Sequence, residues 1–229
     1  MEIKIPTIQE CEELFSKYLV PANIHDHCKK VRQVANFIAI KISNQNKNKS
    51  TINLELVDRL SYLHDLFKMF SLKSLEPNEF YSQPYSKEQI ELWKKFKEKY
   101  LNSHESQIAY EEFKEQFTRF AEQLRDYSDP KTNQTTEQMI VCYADLRVKN
   151  NEVVSINKRF EYLKKRYKHV QEEKWPIYLE HSFEVENKIF NNMDFKPSQL
   201  KEKMLEGEQK WAMTIMNYLE LTKEQQSKK

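Results

Sequence analysis

Apolar residues recur three and four positions apart along most of this chain, the interval that lines one face of an α-helix. In "TIQECEELFSKYLV", Thr7 and Glu10 stand in capping-box spacing and Leu14, Tyr18 and Leu19 follow at helical intervals. Pro21 breaks the chain, and a second helix starts at about Asn23 with an inner face of His27, Val31, Val34, Ile38 and Ile42. The polar stretch "SNQNKNKSTIN" separates it from a third helix, from about Leu54 to Met69, with Leu56, Leu60 and Leu63 on its apolar face. After the Pro-punctuated "SLKSLEPNEFYSQPYS", helical patterns return over about 87–100 and 104–124. "DYSDPKTNQTT" is a second break. A short apolar helix opens at Thr136, a strongly charged one spans 155–174, and "WPIYLEHSFEVENKIF" forms another. The last, over about 198–221, places Leu200, Met204, Trp211, Ile215 and Leu219 on one stripe. The pattern is that of a single all-α domain over 1–229, with a helical extension of about 150–221 and a frayed tail at 222–229.

Composition agrees with the pattern. Glycine occurs once, at Gly207, which argues against turn-rich β architectures and against a glycine-rich phosphate loop. Charged residues make up 31% and nearly cancel to +2, as suits exposed Lys/Glu helix faces, and nucleic acid is not an expected partner. The three cysteines, Cys11, Cys28 and Cys142, are scattered and read as reduced, mostly buried thiols. The opening residues do not read as a signal peptide, and no apolar run has transmembrane length. The expectation is a soluble cytoplasmic protein with no membrane contact.

Four polar residues do not fit the helical pattern. His27 lies on the core-facing stripe of its helix, His64 and Asp65 stand side by side in "LSYLHDLFKMF", and Asp145 sits within the apolar "IVCYADLRV". A buried carboxylate without a partner costs several kcal/mol or takes up a proton. Two imidazoles and two carboxylates converging on one divalent cation would explain all four together, and N/O donors suit Mn, Co, Ni, Fe, Zn or Mg. Spacing alone does not establish the convergence, because neighbouring side chains on a regular helix diverge by about 100°. His64 and Asp65 meet on one ion only near a helix end or where the helix relaxes.

Three segments carry a resemblance. "HCKKVRQVANFIA" looks like the helix bearing the first His of the HD-domain superfamily of metal-dependent phosphohydrolases, whose pattern is H…HD…D on an orthogonal helical bundle. "LSYLHDLFK" looks like its HD helix, commonly followed by Ile-Gly-Lys; Leu66 and Lys68 match and Phe67 departs. "IVCYADLRV" is similar to the segment carrying the last Asp, often written YADK-R-V in small bacterial and archaeal members. The resemblance covers 23–149 and implies metal ligation by His27, His64, Asp65 and Asp145, with Asp65 also orienting the attacking water. Lys68 is placed either to neutralise phosphate charge or to be a solvated lysine at a helix end. "HESQIAYEEF" is similar to the stretch that supplies a further His in two-metal members, which puts His104 at the matching position; nothing from 105 to 144 supplies the second such His. One metal per chain follows, with His104 near the substrate phosphate or idle, and a two-metal site with a substitute ligand as the alternative.

The remaining polar candidates have plainer readings. His25 faces away from His27 as a surface residue, and Arg147 points away from Asp145 into a salt bridge or packing role. Lys149 can pair with Asp145 at i+4, His169 is solvated in "KKRYKHV", and His181 is structural. Phe80, Tyr81, Tyr85, Trp93, Phe96 and Tyr100, beside several lysines, form an aromatic and charged insertion that packs on the bundle or closes as a lid over a nucleotide. The expected activity is hydrolysis of a phosphomonoester or phosphodiester in a nucleotide or similar small phosphorylated metabolite. The alternatives are an HD-fold iron-dependent oxygenase and a non-catalytic nucleotide-sensing module.

Overall fold

The computed structural model describes residues 3–45, 52–72, 84–101, 103–128, 135–168, 170–191 and 193–206. Along them run α1 (Ile8–Lys17), α2 (Ala22–Gln45), α3 (Leu54–Leu63), α4 (Lys87–Lys99), α5 (Glu105–Asp126), α6 (Thr136–Leu146), β1 (Val148–Lys149), β2 (Glu152–Val153), α7 (Ile156–Arg166) and α8 (Lys174–Phe190). Local chemistry sets several helix starts. Thr7 and Glu10, Ser86 and Gln89, and Thr135 and Gln138 each form reciprocal capping boxes at α1, α4 and α6. Asn53 and Ser155 cap α3 and α7 through single side-chain acceptors.

The centre is built from α2, α3 and α6, which pack on one another. Val31, Val34 and Ile38 of α2, Leu60 and Leu63 of α3, and Ile140, Val141 and Tyr143 of α6 are all fully buried. Truncating Leu60 or Leu63 to Ala costs about 2–5 kcal/mol in such a setting. The same three helices, or their ends, carry His27, His64, Asp65 and Asp145, so the packing that stabilises the domain also fixes where those side chains stand.

Three departures from the sequence pattern have physical causes. The third helix, expected to run to Met69, stops at Leu63 and passes into tighter turns, with bonds from Leu66 N–H to Leu63 O (3.1 Å) and from Lys68 N–H to Asp65 O (3.0 Å). Leu66, Phe67, Met69 and Phe70 are all buried, which one stripe of a straight helix could not achieve. The charged helix expected over 155–174 ends at Arg166, since "YKHVQEEK" offers the core only partly buried Tyr167 and Val170. Between α6 and α7 a short antiparallel ladder pairs Val148 with Val153 and Lys149 with Glu152, the single exception to the helical pattern among the described residues. Its turn is possible because Asn150 adopts φ 53°, a left-handed conformation that asparagine tolerates.

The described part of the insertion packs against the bundle. Trp93 is fully buried and its Nε1–H donates to the Tyr18 carbonyl at 2.9 Å. Phe96 stacks on Phe70 at 4.9 Å, and Tyr100 bonds Glu112. The three cysteines are buried and free. No helix among the described residues is long and apolar enough to cross a membrane. Phe80, Tyr81, His169, Trp211, Ile215, Leu219 and the 222–229 tail lie outside the described residues.

Candidate metal centre

The end of α3 explains how adjacent residues share a site. The last carbonyls of a helix lack intrahelical partners, and His64 uses one of them: its Nδ1–H donates to Ser61 O at 2.8 Å. That bond fixes the tautomer and leaves Nε2 with a lone pair. The His64 side chain has no solvent exposure, and Nε2 has no hydrogen-bond partner. Tyr127 packs edge-on against the ring at 5.9 Å and holds its plane.

Around this nitrogen the other three candidates gather. His27 projects from the first turns of α2, and its Nδ1 lies 3.3 Å from the carbonyl of Asn150 in the hairpin turn. Its Nε2 therefore faces Asp145 Oδ1 at 3.1 Å and Asp65 Oδ2 at 3.9 Å. His64 Nε2 lies 3.9 Å from Asp65 Oδ2 and 3.8 Å from Asp145 Oδ1, and the two imidazole centroids are 5.3 Å apart. The nearest ligand atoms of His27, His64 and Asp65 all lie within 4.8 Å of one another, so this group can hold a metal ion. Asp145 borders it, but Oδ1 also accepts from Arg159 Nη2 at 3.1 Å.

Electrostatics favours the metal-binding forms of His64, Asp65 and Asp145. Burial pushes the His64 imidazole below its ordinary range, against the raising influence of Asp65 and Asp145. Burial raises the Asp65 carboxyl, but Lys68 and His64 outweigh it and hold it below the usual carboxylate range. Asp145 is likewise raised by burial and lowered further by His27, Arg159 and His64, ending well below that range. A neutral imidazole at His64 beside ionised carboxylates suits a divalent cation, and its unpaired Nε2 is a buried polar atom that such an ion would satisfy.

The other sequence candidates stand as follows. Lys68 is not a solvated lysine: its ammonium bonds Glu105 and lies 3.8 Å from Asp65 Oδ1. Burial lowers its pKa, but Asp65 and Glu105 more than reverse this, so it stays charged. His104 stands apart from the group as the N-cap of α5, its Nδ1 accepting from Ser106 N–H at 3.3 Å and its side chain 63% exposed. Glu105, the next residue, connects it to Lys68. His25 is half-buried rather than on the surface, stacked on Phe15 and 2.8 Å from the Tyr62 hydroxyl. Arg147 is buried and bonds Val154 O, Tyr143 and Pro197 O. Lys149 does not pair with Asp145, because α6 ends at Leu146 and the i+4 geometry is lost; it lies 5.2 Å from the Tyr162 ring. His181 is half-buried on α8.

Sequence reasoning missed Arg159, Glu105 and the Asn150 carbonyl. Arg159 carried a signal, for it falls on the apolar stripe of α7 between Ile156 and Leu163, the same misfit that exposed Asp145. The paired asparagines at 150 and 151 were a turn signal. A backbone carbonyl gives none. The centre opens into a cavity of about 1170 Å³ whose far wall is formed by α7 and α8. Compared with protein-family models, with curated proteins and with solved structures, the chain matches none of them.

Proposed function

We propose that this chain is a metal-dependent phosphohydrolase of the HD-domain type, cleaving a phosphomonoester or phosphodiester of a nucleotide or similar small phosphorylated metabolite. The observation that carries the proposal is the Nε2 of His64, buried and without a partner, in a cluster with His27 and two ionised carboxylates at the base of a large cavity. A divalent cation, when bound, supplies an acidified water and draws charge from a phosphoryl oxygen.

The residues of the chain divide the remaining work. Ser61 O and Asn150 O anchor the two imidazoles through Nδ1, so each presents Nε2 to the site. Asp65 turns Oδ2 toward both imidazoles and Oδ1 toward Lys68, which holds the carboxylate ionised while it steers the attacking water. Lys68, bonded to Glu105 and beside Asp65, acts on phosphate charge mainly by fixing that carboxylate. Phe67 and Leu66, both buried, keep the turn in place beneath the site.

The test is a panel of phosphoesters assayed with added Mn, Co, Ni or Mg, wild type beside Asp65→Ala. Metal-dependent turnover that disappears in the variant supports the proposal. Turnover that persists unchanged removes the site.

A further inference from the structure

The cavity has two chemically different sides. Its base carries the carboxylates of Asp65 and Asp145, with Asp26 nearby. The lining that α7, α8 and their connection contribute includes Arg159, Arg166 and Lys174 and no acidic residue. Arg159 stands where the two sides meet. It is 8% exposed, and its guanidinium lies 5.6 Å from the Tyr162 ring centre while Nη2 donates to Asp145 Oδ1 at 3.1 Å. Its Nε–H is buried without an acceptor, although it lies on the same fork of the guanidinium as the bonded Nη2. A carboxylate paired only for structural reasons would commonly fill both positions of that fork. Here one is filled by a residue of the candidate centre and the other is empty.

The other cations of the wall are arranged differently. Arg166 donates to the Tyr162 hydroxyl at 3.1 Å, and Lys174 is exposed at the start of α8. Arg159 is therefore the one buried cation of this wall next to the centre, among the described residues, with a donor left unused.

We propose that Arg159 contacts the substrate directly, its guanidinium donating to a non-bridging oxygen of the phosphoryl group seated against Asp145. The proposal rests on the phosphohydrolase reading for the identity of that group, and it assigns the helical extension a share of the active site. No bond is made or broken at Arg159. It offsets negative charge on the phosphoryl oxygens, and it couples that contact to Asp145 through the neighbouring nitrogen.

The experiment uses inorganic phosphate as the probe and metal-loaded full-length protein, by calorimetry or phosphorus NMR, in wild type, Arg159→Ala and Arg159→Lys. Metal uptake is measured separately for each. The expected result is phosphate affinity at least about tenfold weaker in Arg159→Ala, a smaller loss in the charge-conserving Arg159→Lys, and metal uptake unchanged in both. In turnover, ethylguanidine added to Arg159→Ala restores part of the lost rate. Equal phosphate affinity in all three proteins overturns the proposal, as does a wild type that does not bind phosphate. Loss of metal together with phosphate overturns it too, since Arg159 would then act only by holding Asp145. Phosphate binding that depends on Arg159 in a protein inactive on every phosphoester sinks the hydrolase reading and leaves the anion site standing.

Discussion

Two buried carboxylate clusters lie along the same stretch of chain, one within α3 and one just past its end, and they are finished in opposite ways. Asp58 is surrounded by donors. Oδ1 accepts from Arg32 Nε at 2.7 Å and from Asn36, and Oδ2 accepts from Arg32 Nη2 at 3.0 Å and from Arg59. Every lone pair has a hydrogen, and Arg59 is further held by Pro6 O at 3.0 Å. Around Asp65 and Asp145 the pairing is incomplete: Lys68 and Arg159 each reach one carboxylate oxygen, while Nε2 of His64 faces both carboxylates with no hydrogen-bond partner. A buried charge cluster that is complete in itself holds a fold together. One that leaves a buried lone pair unmatched beside its carboxylates, even with Lys68 and Arg159 at its edges, has room for a further cation.

The largest effect expected from breaking this contrast is at Asp58. Asp58→Ala leaves the guanidiniums of Arg59 and Arg32 without their carboxylate, and removing one partner of a buried pair costs about 3–5 kcal/mol. Urea unfolding should show that loss, while the protein that stays folded takes up metal as the wild type does. A stability change under about 1 kcal/mol would mean that the cluster is not what holds α2 to α3.

A smaller effect separates the two clusters from the other side. Glu105→Gln removes one of the two carboxylate charges that face Lys68, the other being Asp65. Metal affinity should fall about tenfold, the size typical of an outer partner of a metal ligand, with little change in unfolding midpoint. Unchanged affinity would show that Lys68 does not bear on the centre.

How much of this was legible in the sequence follows from the same contrast. His27, His64, Asp65 and Asp145 were readable because each is a polar residue in an apolar register, and that misfit survives without coordinates. The completeness of the Asp58 cluster was not readable, since it depends on Arg32 and Asn36, one turn apart on α2, reaching the same carboxylate. The stop at Leu63 was hidden because "LFKMF" continues the apolar run, and only three-dimensional packing shows that both sides of that run are buried. Lys149 was misplaced for a related reason: an i+4 pairing assumes a helix that in fact ends one residue after Asp145. The composition of the aromatic insertion allowed either packing or a lid; Trp93 and Phe96 pack on the bundle, Pro84, Tyr85 and Gln89 line the cavity, and the cationic wall comes from α7 and α8.

The smallest effect is in pH dependence. In the unfolded chain the His64 imidazole takes its proton near pH 6.5, and in the folded protein only at lower pH, because burial opposes the charge. The unfolded chain therefore binds more protons in that interval, and stability of chelator-treated protein falls as the pH drops through and below 6.5. In His64→Asn the slope of unfolding midpoint against pH should flatten there. An identical slope would place the titrating group elsewhere.

The most direct measurement is metal content per chain. Chelator-stripped protein is dialysed against Mn, Co, Ni, Fe, Zn and Mg in turn, and bound metal is counted in wild type and in His64→Asn. The account predicts one ion per chain for at least one of these metals and its loss in the variant. A wild type that stays empty with all six, or a variant that fills equally well, would contradict it.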